Sequence, residues 1–201
     1  MALTKKAEKT KLKLLESAKK LISERGFEQV SVEDITRESG VAKGTFYHYF
    51  KTKEDVIGEL SFRSSQMIFE QSMELKDHVI NRCIYFLMGV YKDAEWAGVR
   101  LTRQWIRESL ETEEEDSCVR KDLTSLKNAF VKLLESGQGK GPGELTEDAP
   151  VDTLAKLMMS HFFGVLTIWC IMNGTWRITD KENHKYVQVD MENLLSPYIM
   201  K

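Results

Sequence analysis

The chain has 201 residues, 42% hydrophobic and 30% charged, with 29 Lys+Arg against 31 Asp+Glu for a net charge of −2. This profile describes a globular chain of one or two domains and excludes collagens, disordered tails and a globally basic coat for nucleic acid. Three cysteines (Cys83, Cys118 and Cys170), far apart and odd in number, exclude a disulfide scaffold and any CxxC motif, and read as small core hydrophobes in a reducing compartment.

The opening stretch MALTKKAEKTKLKLLESAKK carries seven Lys and two Glu. It has no apolar h-region, which argues against a cleaved secretory signal and for a cytoplasmic protein. Over about 9–25, Leu14, Leu15, Ala18, Leu21 and Ile22 form one helical stripe. The Lys run reads either as a solvated helix face or as a phosphate-seeking surface. Gly26 follows as a C′ glycine in the left-handed conformation. Ser31 with Asp34 is a capping box opening a helix over 32–39, and Gly40 closes it with the turn a helix-turn-helix needs. A second short helix follows over 43–50. Thr52 with Asp55 then caps a long helix over 53–74.

Further helices are expected at about 76–92, 95–110, 117–136, 151–173 and 188–199. The acidic run Glu111, Glu113, Glu114, Glu115 and Asp116 predicts an exposed bend or a helix start, and the glycines between Gly137 and Gly143 predict a loop. All three prolines (Pro142, Pro150 and Pro197) lie beyond residue 141, and no alternating strand pattern occurs. The fold class is all-α with about nine helices. A head over 1–52 and a second domain over 53–201 are linked by the helix 53–74.

Residues 26–56 read GFEQVSVEDITRESGVAKGTFYHYFKTKEDV. Two helices of about eight residues are too short to stand alone in water, so the helices at 9–25 and 53–74 must hold them. Phe46, Tyr49 and Phe50 face inward. Lys43, Thr45, Tyr47 and His48 are left displayed, a set of groups suited to phosphate oxygens and base edges. Free backbone N–H groups near Gly44 add to this, with no side chain to block a close approach.

The string resembles the tetracycline-repressor (TetR) family of transcriptional regulators. The resemblance lies in Gly26, Ser31–Ile35, Gly40-Val41, Lys43-Gly44-Thr45-Phe46-Tyr47 through Phe50, Lys53 and Glu54. It covers about a quarter of the chain closely. Thr36 stands where helix-turn-helix motifs commonly place Ala, and Tyr49 where the family often has His. The resemblance implies that Lys43, Gly44 and Thr45 approach the major groove of double-stranded DNA. It implies that Tyr47 and His48 contact phosphates or base edges, and that Lys53 grips the backbone together with the Ser31 cap.

From Leu157 to Trp176 no Asp, Glu, Lys or Arg occurs. The length fits a membrane span, but Ser160, His161, Thr167, Asn173 and Thr175 interrupt it, and a helix buried on both sides is the better reading. One side faces its own bundle and the other a second copy of the chain, with Ser160, Gly164 and Ile168 at the contact. The last helix, with Val189, Met191, Leu194, Leu195 and Ile199, joins them in a dimer interface, as the resemblance also implies. Two recognition helices on a two-fold axis would then read a palindromic operator with half-sites about 34–36 Å apart.

From residue type, the candidates for an effector pocket are Trp96, Trp105, Met158, His161, Phe162 and Trp169, each of which ordinary core packing would also explain. Arg103 and Arg107 could neutralise an acidic effector or pair with nearby acids. No HExxH, GxSxG, Walker or GxGxxG string occurs, and the four His stand at no metal-binding spacing, so neither an enzyme nor a cofactor is expected. The resemblance implies a repressor that a small molecule releases from DNA. The alternative is a helical ligand-sensing or protein-interaction module without sequence-specific DNA binding.

Overall fold

The computed structural model describes residues 5–111, 118–179 and 181–201. Among them the chain forms nine α-helices: α1 (Lys5–Arg25), α2 (Val32–Ser39), α3 (Lys43–Tyr49), α4 (Lys53–Glu74), α5 (Val79–Ala97), α6 (Val99–Glu111), α7 (Cys118–Gly137), α8 (Val151–Ile171) and α9 (Lys181–Leu195). Short 3-10 turns lie at Phe27–Gln29 and Ser196–Tyr198. The all-α expectation holds. The acidic segment 112–117 lies outside the described residues, as does the Cys118 side chain.

The chain divides into two compact units, Met1–Arg63 and Ser64–Lys201, and α4 runs continuously through the division. The sequence places the boundary at residue 52, before α4, whereas the division falls within that helix. The start of α4 packs with the head because Val56 and Ile57 are buried there and Glu59 pairs with Lys11 of α1 at 3.0 Å.

In the head, α1 lays Leu14, Leu15, Ala18, Leu21 and Ile22 inward as the stripe predicts. Gly26 departs from the expected left-handed turn: its φ of 79° and ψ of 154° lie in a region open essentially to glycine alone, and its N–H closes α1 on Ile22 O at 2.8 Å. Both capping boxes form. Asp34 N–H donates to Ser31 Oγ at 3.1 Å while Ser31 N–H donates to the Asp34 carboxylate at 3.0 Å. Thr52 and Asp55 exchange the same two bonds at 3.2 and 2.9 Å.

The second unit is a bundle in which α5 touches α6, α7, α8 and α9. Its centre is aromatic and aliphatic: Phe86 packs edge-to-face on Phe130 at 5.3 Å, and Tyr91 stacks on Phe162 at 5.4 Å. The free thiols of Cys83 and Cys170 are buried. Several helix boundaries differ from expectation. α5 starts at Val79 and continues to Ala97, where Gly98 (φ 87°) ends the helix. α9 starts at Lys181 and stops at Leu195, where Ser196–Pro197 tightens into a 3-10 turn. The glycine-rich loop is pinned by the chain end: Thr146 N–H donates to Tyr198 O and Met200 N–H to Glu144 O, both at 2.8 Å, around an isolated antiparallel bridge between Leu145 and Ile199.

Candidate nucleic-acid interface

α3 is seven residues long and is fixed from one side. Phe46 is completely buried, with Phe50 against it at 5.6 Å between ring centroids. α2 meets α3 through a turn in which Gly40 N–H donates to Arg37 O and Val41 N–H to Thr36 O. Thr36, buried where helix-turn-helix motifs commonly place Ala, turns its hydroxyl onto Glu33 O at 3.1 Å, so the additional polar atom is satisfied within α2.

The opposite side of α3 faces outward. Lys43, Gly44, Tyr47 and His48 are exposed and Thr45 is half-buried. Tyr47 leaves 49% of its surface exposed, although its ring edge packs on Phe46 at 5.4 Å. His48 packs edge-to-face on Tyr49 at 5.1 Å. A Cβ built on Gly44 would meet nothing within 4 Å. Glycine inside a helix destabilises it by about 0.5–1 kcal/mol relative to Ala. Among the described residues no contact requires that glycine.

The Lys43 ammonium is held by the Glu33 carboxylate from the first turn of α2 and sits 6.0 Å from the Tyr47 ring. Their mutual hydrogen bond holds Glu33 below and Lys43 above its ordinary pKa. Ser31, exposed, serves as the N-cap of α2, and its hydroxyl donates to Asp34 at 2.6 Å. That bond is the first cause keeping the Asp34 carboxyl below its usual range.

Lys53 corrects the expectation. Its ammonium is half-buried, donating to Phe27 O at 2.8 Å and Val30 O at 2.7 Å, and lies 3.9 Å from the centre of the Phe27 ring. It ties the start of α4 to the turn after α1. No local signal in the sequence marks this tie, because the two carbonyls lie 26 and 23 residues away along the chain. On α1, Lys9, Lys13, Lys19 and Lys20 are exposed, while Lys11 is committed to Glu59 and lies 5.5 Å from the Phe50 ring.

In the second unit the expected effector residues are mostly core. Met158, Phe162 and Trp169 are buried. Trp105 is stacked flat on Phe163 at 5.4 Å, Trp96 is half-buried, and His161 approaches Asp190. None of the six lines either of two open clefts along α6. One, of about 520 Å³, is lined by Val99, Arg100, Arg103, Gln104, Arg107 and Asn173. The other, of about 280 Å³, lies beside Ile106, Leu110, Thr167 and Ile171. Trp and Met are bulky enough to fill the bundle centre, and here packing takes them. Arg103 donates to Cys170 O, and Arg107 lies 4.0 Å from Glu111.

The expected dimer residues divide. Ser160, Gly164 and Ile168 lie exposed along one face of α8, where Leu157 and Ile171 join them. The Ser160 hydroxyl donates back to Lys156 O. Leu195 is fully buried in its own bundle and Leu194 packs partly against it, so Leu195 is withdrawn from any interface. Because α9 starts earlier than expected, Val187, Met191 and Leu195 point inward, four apart, and Tyr186 and Val189 point out. α8 is also the one helix among the described residues long and apolar enough to cross a membrane, with a mean hydropathy of 1.6 over its best window.

Comparison with known proteins bears on both units. Residues 14–60 match the family of bacterial regulatory proteins, tetR family. A fatty acid metabolism regulator protein of Bacillus subtilis is 24% identical over 174 residues, spanning 81% of this chain and 84% of its own. The fold matches a TetR-family regulator from Cytophaga hutchinsonii with a TM-score of 0.65 at 19% identity, covering 100% of both chains. It also matches the B. subtilis regulator FadR in complex with stearoyl-CoA, with a TM-score of 0.56 at 21% identity over 92% of this chain and 97% of that one. The capped helix-turn-helix and the outward α3 lie in the segment that matches the tetR family of bacterial regulatory proteins, and the chain shares the fold of solved TetR-family regulators.

Proposed function

We propose that the protein is a ligand-responsive, DNA-binding transcriptional repressor that acts as a homodimer on a palindromic operator in the cytoplasm. The observation that carries this reading is the outer face of α3: Lys43, Gly44, Tyr47 and His48 exposed on a helix whose other side is anchored by Phe46. On DNA, Lys43 exchanges Glu33 for a phosphate or a guanine edge. Gly44 lets the backbone approach, Thr45, Tyr47 and His48 contact phosphates or bases, and Ser31 presents the start of α2. Lys53 acts by holding α4 to the head.

A second copy covers the face formed by Leu157, Ser160, Gly164, Ile168 and Ile171 of α8 with Tyr186 and Val189 of α9. Gly164, whose Cβ position is open, lets the partner's helix come close. The similarity to a fatty acid metabolism regulator and to FadR bound to stearoyl-CoA supports a small-molecule effector in the second unit. A ligand that favours one head separation over another changes operator affinity by its differential affinity for the two states.

Selection of bound duplexes from a random pool, followed by an anisotropy titration, tests the reading. A palindromic site bound at least ~10³-fold more tightly than random DNA, with affinity falling steeply in salt, is expected. Lys43→Ala relaxes sequence preference by about 1–3 kcal/mol if Lys43 reads a base, whereas Tyr47→Phe weakens all operators alike if its hydroxyl meets phosphate. Equal weak binding to every duplex would leave a helical sensing module without sequence-specific DNA binding.

A further inference from the structure

Between α5, α8 and α9, the interior of the second unit holds two polar atoms with no protein partner among the described residues: the Tyr91 hydroxyl and His161 Nε2. Tyr91 is completely buried, and the His161 side chain leaves 13% of its surface exposed. Their rings stand 6.4 Å apart. Buried hydroxyl and imidazole groups are ordinarily paired, and two left open beside each other call for an explanation.

The surrounding groups fix what each atom offers. His161 Nδ1 lies 3.4 Å from the Asp190 carboxylate. Burial lowers the affinity of the ring for a second proton, against the pull of Asp190. A neutral ring that faces a carboxylate through Nδ1 carries its proton there, which leaves Nε2 as a lone-pair acceptor. Burial first, then the charges of Tyr186 and Asp190, raise the pKa of Tyr91, so its hydroxyl stays protonated. One side therefore offers an O–H donor and the other a nitrogen acceptor.

We propose that Tyr91 and His161 form a recognition point for a hydroxyl group carried on a small, flat apolar ligand. This deepens the reading of the second unit as ligand-responsive and rests on it. A ligand hydroxyl satisfies both atoms at once, accepting from Tyr91 and donating to Nε2. A ketone, ether or carboxylate accepts only and leaves Nε2 bare; an ammonium donates only. The apolar frame lies against aromatic rings. Phe162 stacks on Tyr91, and Tyr186, 45% exposed, stands 6.0 Å from His161 and 6.3 Å from Trp176.

The test uses the full chain without DNA, titrated with phenol, anisole and toluene and read by ligand-detected NMR. Phenol is expected to bind at least ~10-fold more tightly than anisole, because a site built around a hydroxyl discriminates strongly against analogues that lack it. Tyr91→Phe and His161→Leu each abolish that preference and leave toluene binding unchanged. Equal affinity for phenol and anisole, or a preference that survives both substitutions, overturns the proposal. Tyr91→Phe also carries a control on the free protein. Its Tm equals or exceeds that of the unsubstituted chain, because the hydroxyl has no partner among the described residues to lose. A Tm several degrees lower would mean that an internal water already satisfies the hydroxyl, and it too overturns the proposal. Phenol that binds without changing operator affinity counts against the effector response, not against this site; phenol that fails to bind leaves the DNA reading intact.

Discussion

The two units differ in where their instructions lie. The head is assembled from short helices that local signals start and stop, and its chemistry stands on an exposed helix face. The second unit is assembled from long helices whose mutual packing decides which side of each faces inward, and its most telling polar atoms are buried. The same residue types therefore mean different things in the two places: Tyr47 on α3 is displayed, while Tyr91 on α5 is enclosed. A polar residue in the head is read from its cap and spacing, and one in the bundle only from its neighbours.

Substitutions break or sharpen this contrast. The largest effect belongs to Phe46→Ala, which removes the anchor of α3 and is expected to destabilise the head by about 3–5 kcal/mol in urea unfolding. DNA binding is lost with it, while the second unit, which shares none of that core, keeps its near-ultraviolet signal from Trp169. Lys53→Met is next. Two bonds from an ammonium to half-buried carbonyls would go, and a loss of about 1.5–3 kcal/mol is expected. An unchanged urea midpoint would return Lys53 to a purely DNA-facing role.

Ser31→Ala removes one half of a capping box and is expected to destabilise the head by about 1 kcal/mol. Gly44→Ala is smaller and of opposite sign: stability rises by about 0.5–1 kcal/mol, because the added Cβ meets nothing, while operator affinity falls. A variant both more stable and equally tight on DNA would show that Gly44 makes no room for an outside surface.

The smallest expected effect is on pH dependence. Burial depresses the His161 pKa below the ordinary value of 6.5, so the unfolded chain takes up the proton first. Stability attributable to this group is therefore full above pH 6.5 and falls as the pH drops below it. His161→Leu should flatten that limb of a Tm-against-pH curve. It should leave the decline at lower pH, where the depressed carboxylates Asp34 and Glu33 of the head become protonated.

The head was legible because its signals are short-range. Ser31 with Asp34, Thr52 with Asp55 and the stripe from Leu14 to Ile22 each report on neighbours within a turn or two. Lys53 escaped because its partners, Phe27 O and Val30 O, are more than twenty residues away. In the second unit the helix ends moved for similar reasons. Gly98, not recognised as a stop in the sequence, carries α5 five residues beyond the expected end, and the start of α9 carried no signal strong enough to place it.

By itself the sequence determined the all-α class, both capping boxes, the helix-turn-helix and the identities displayed on α3, since backbone capping and helical period depend only on residues close along the chain. Only the tertiary structure decided that Lys53 is an internal tie, that Leu195, Met158 and Trp169 fill the core, and that the Tyr91 hydroxyl and His161 Nε2 lie without a partner among the described residues. Such outcomes depend on which distant surfaces meet, and a one-residue change in the start of a helix turns every side chain on it by about 100°.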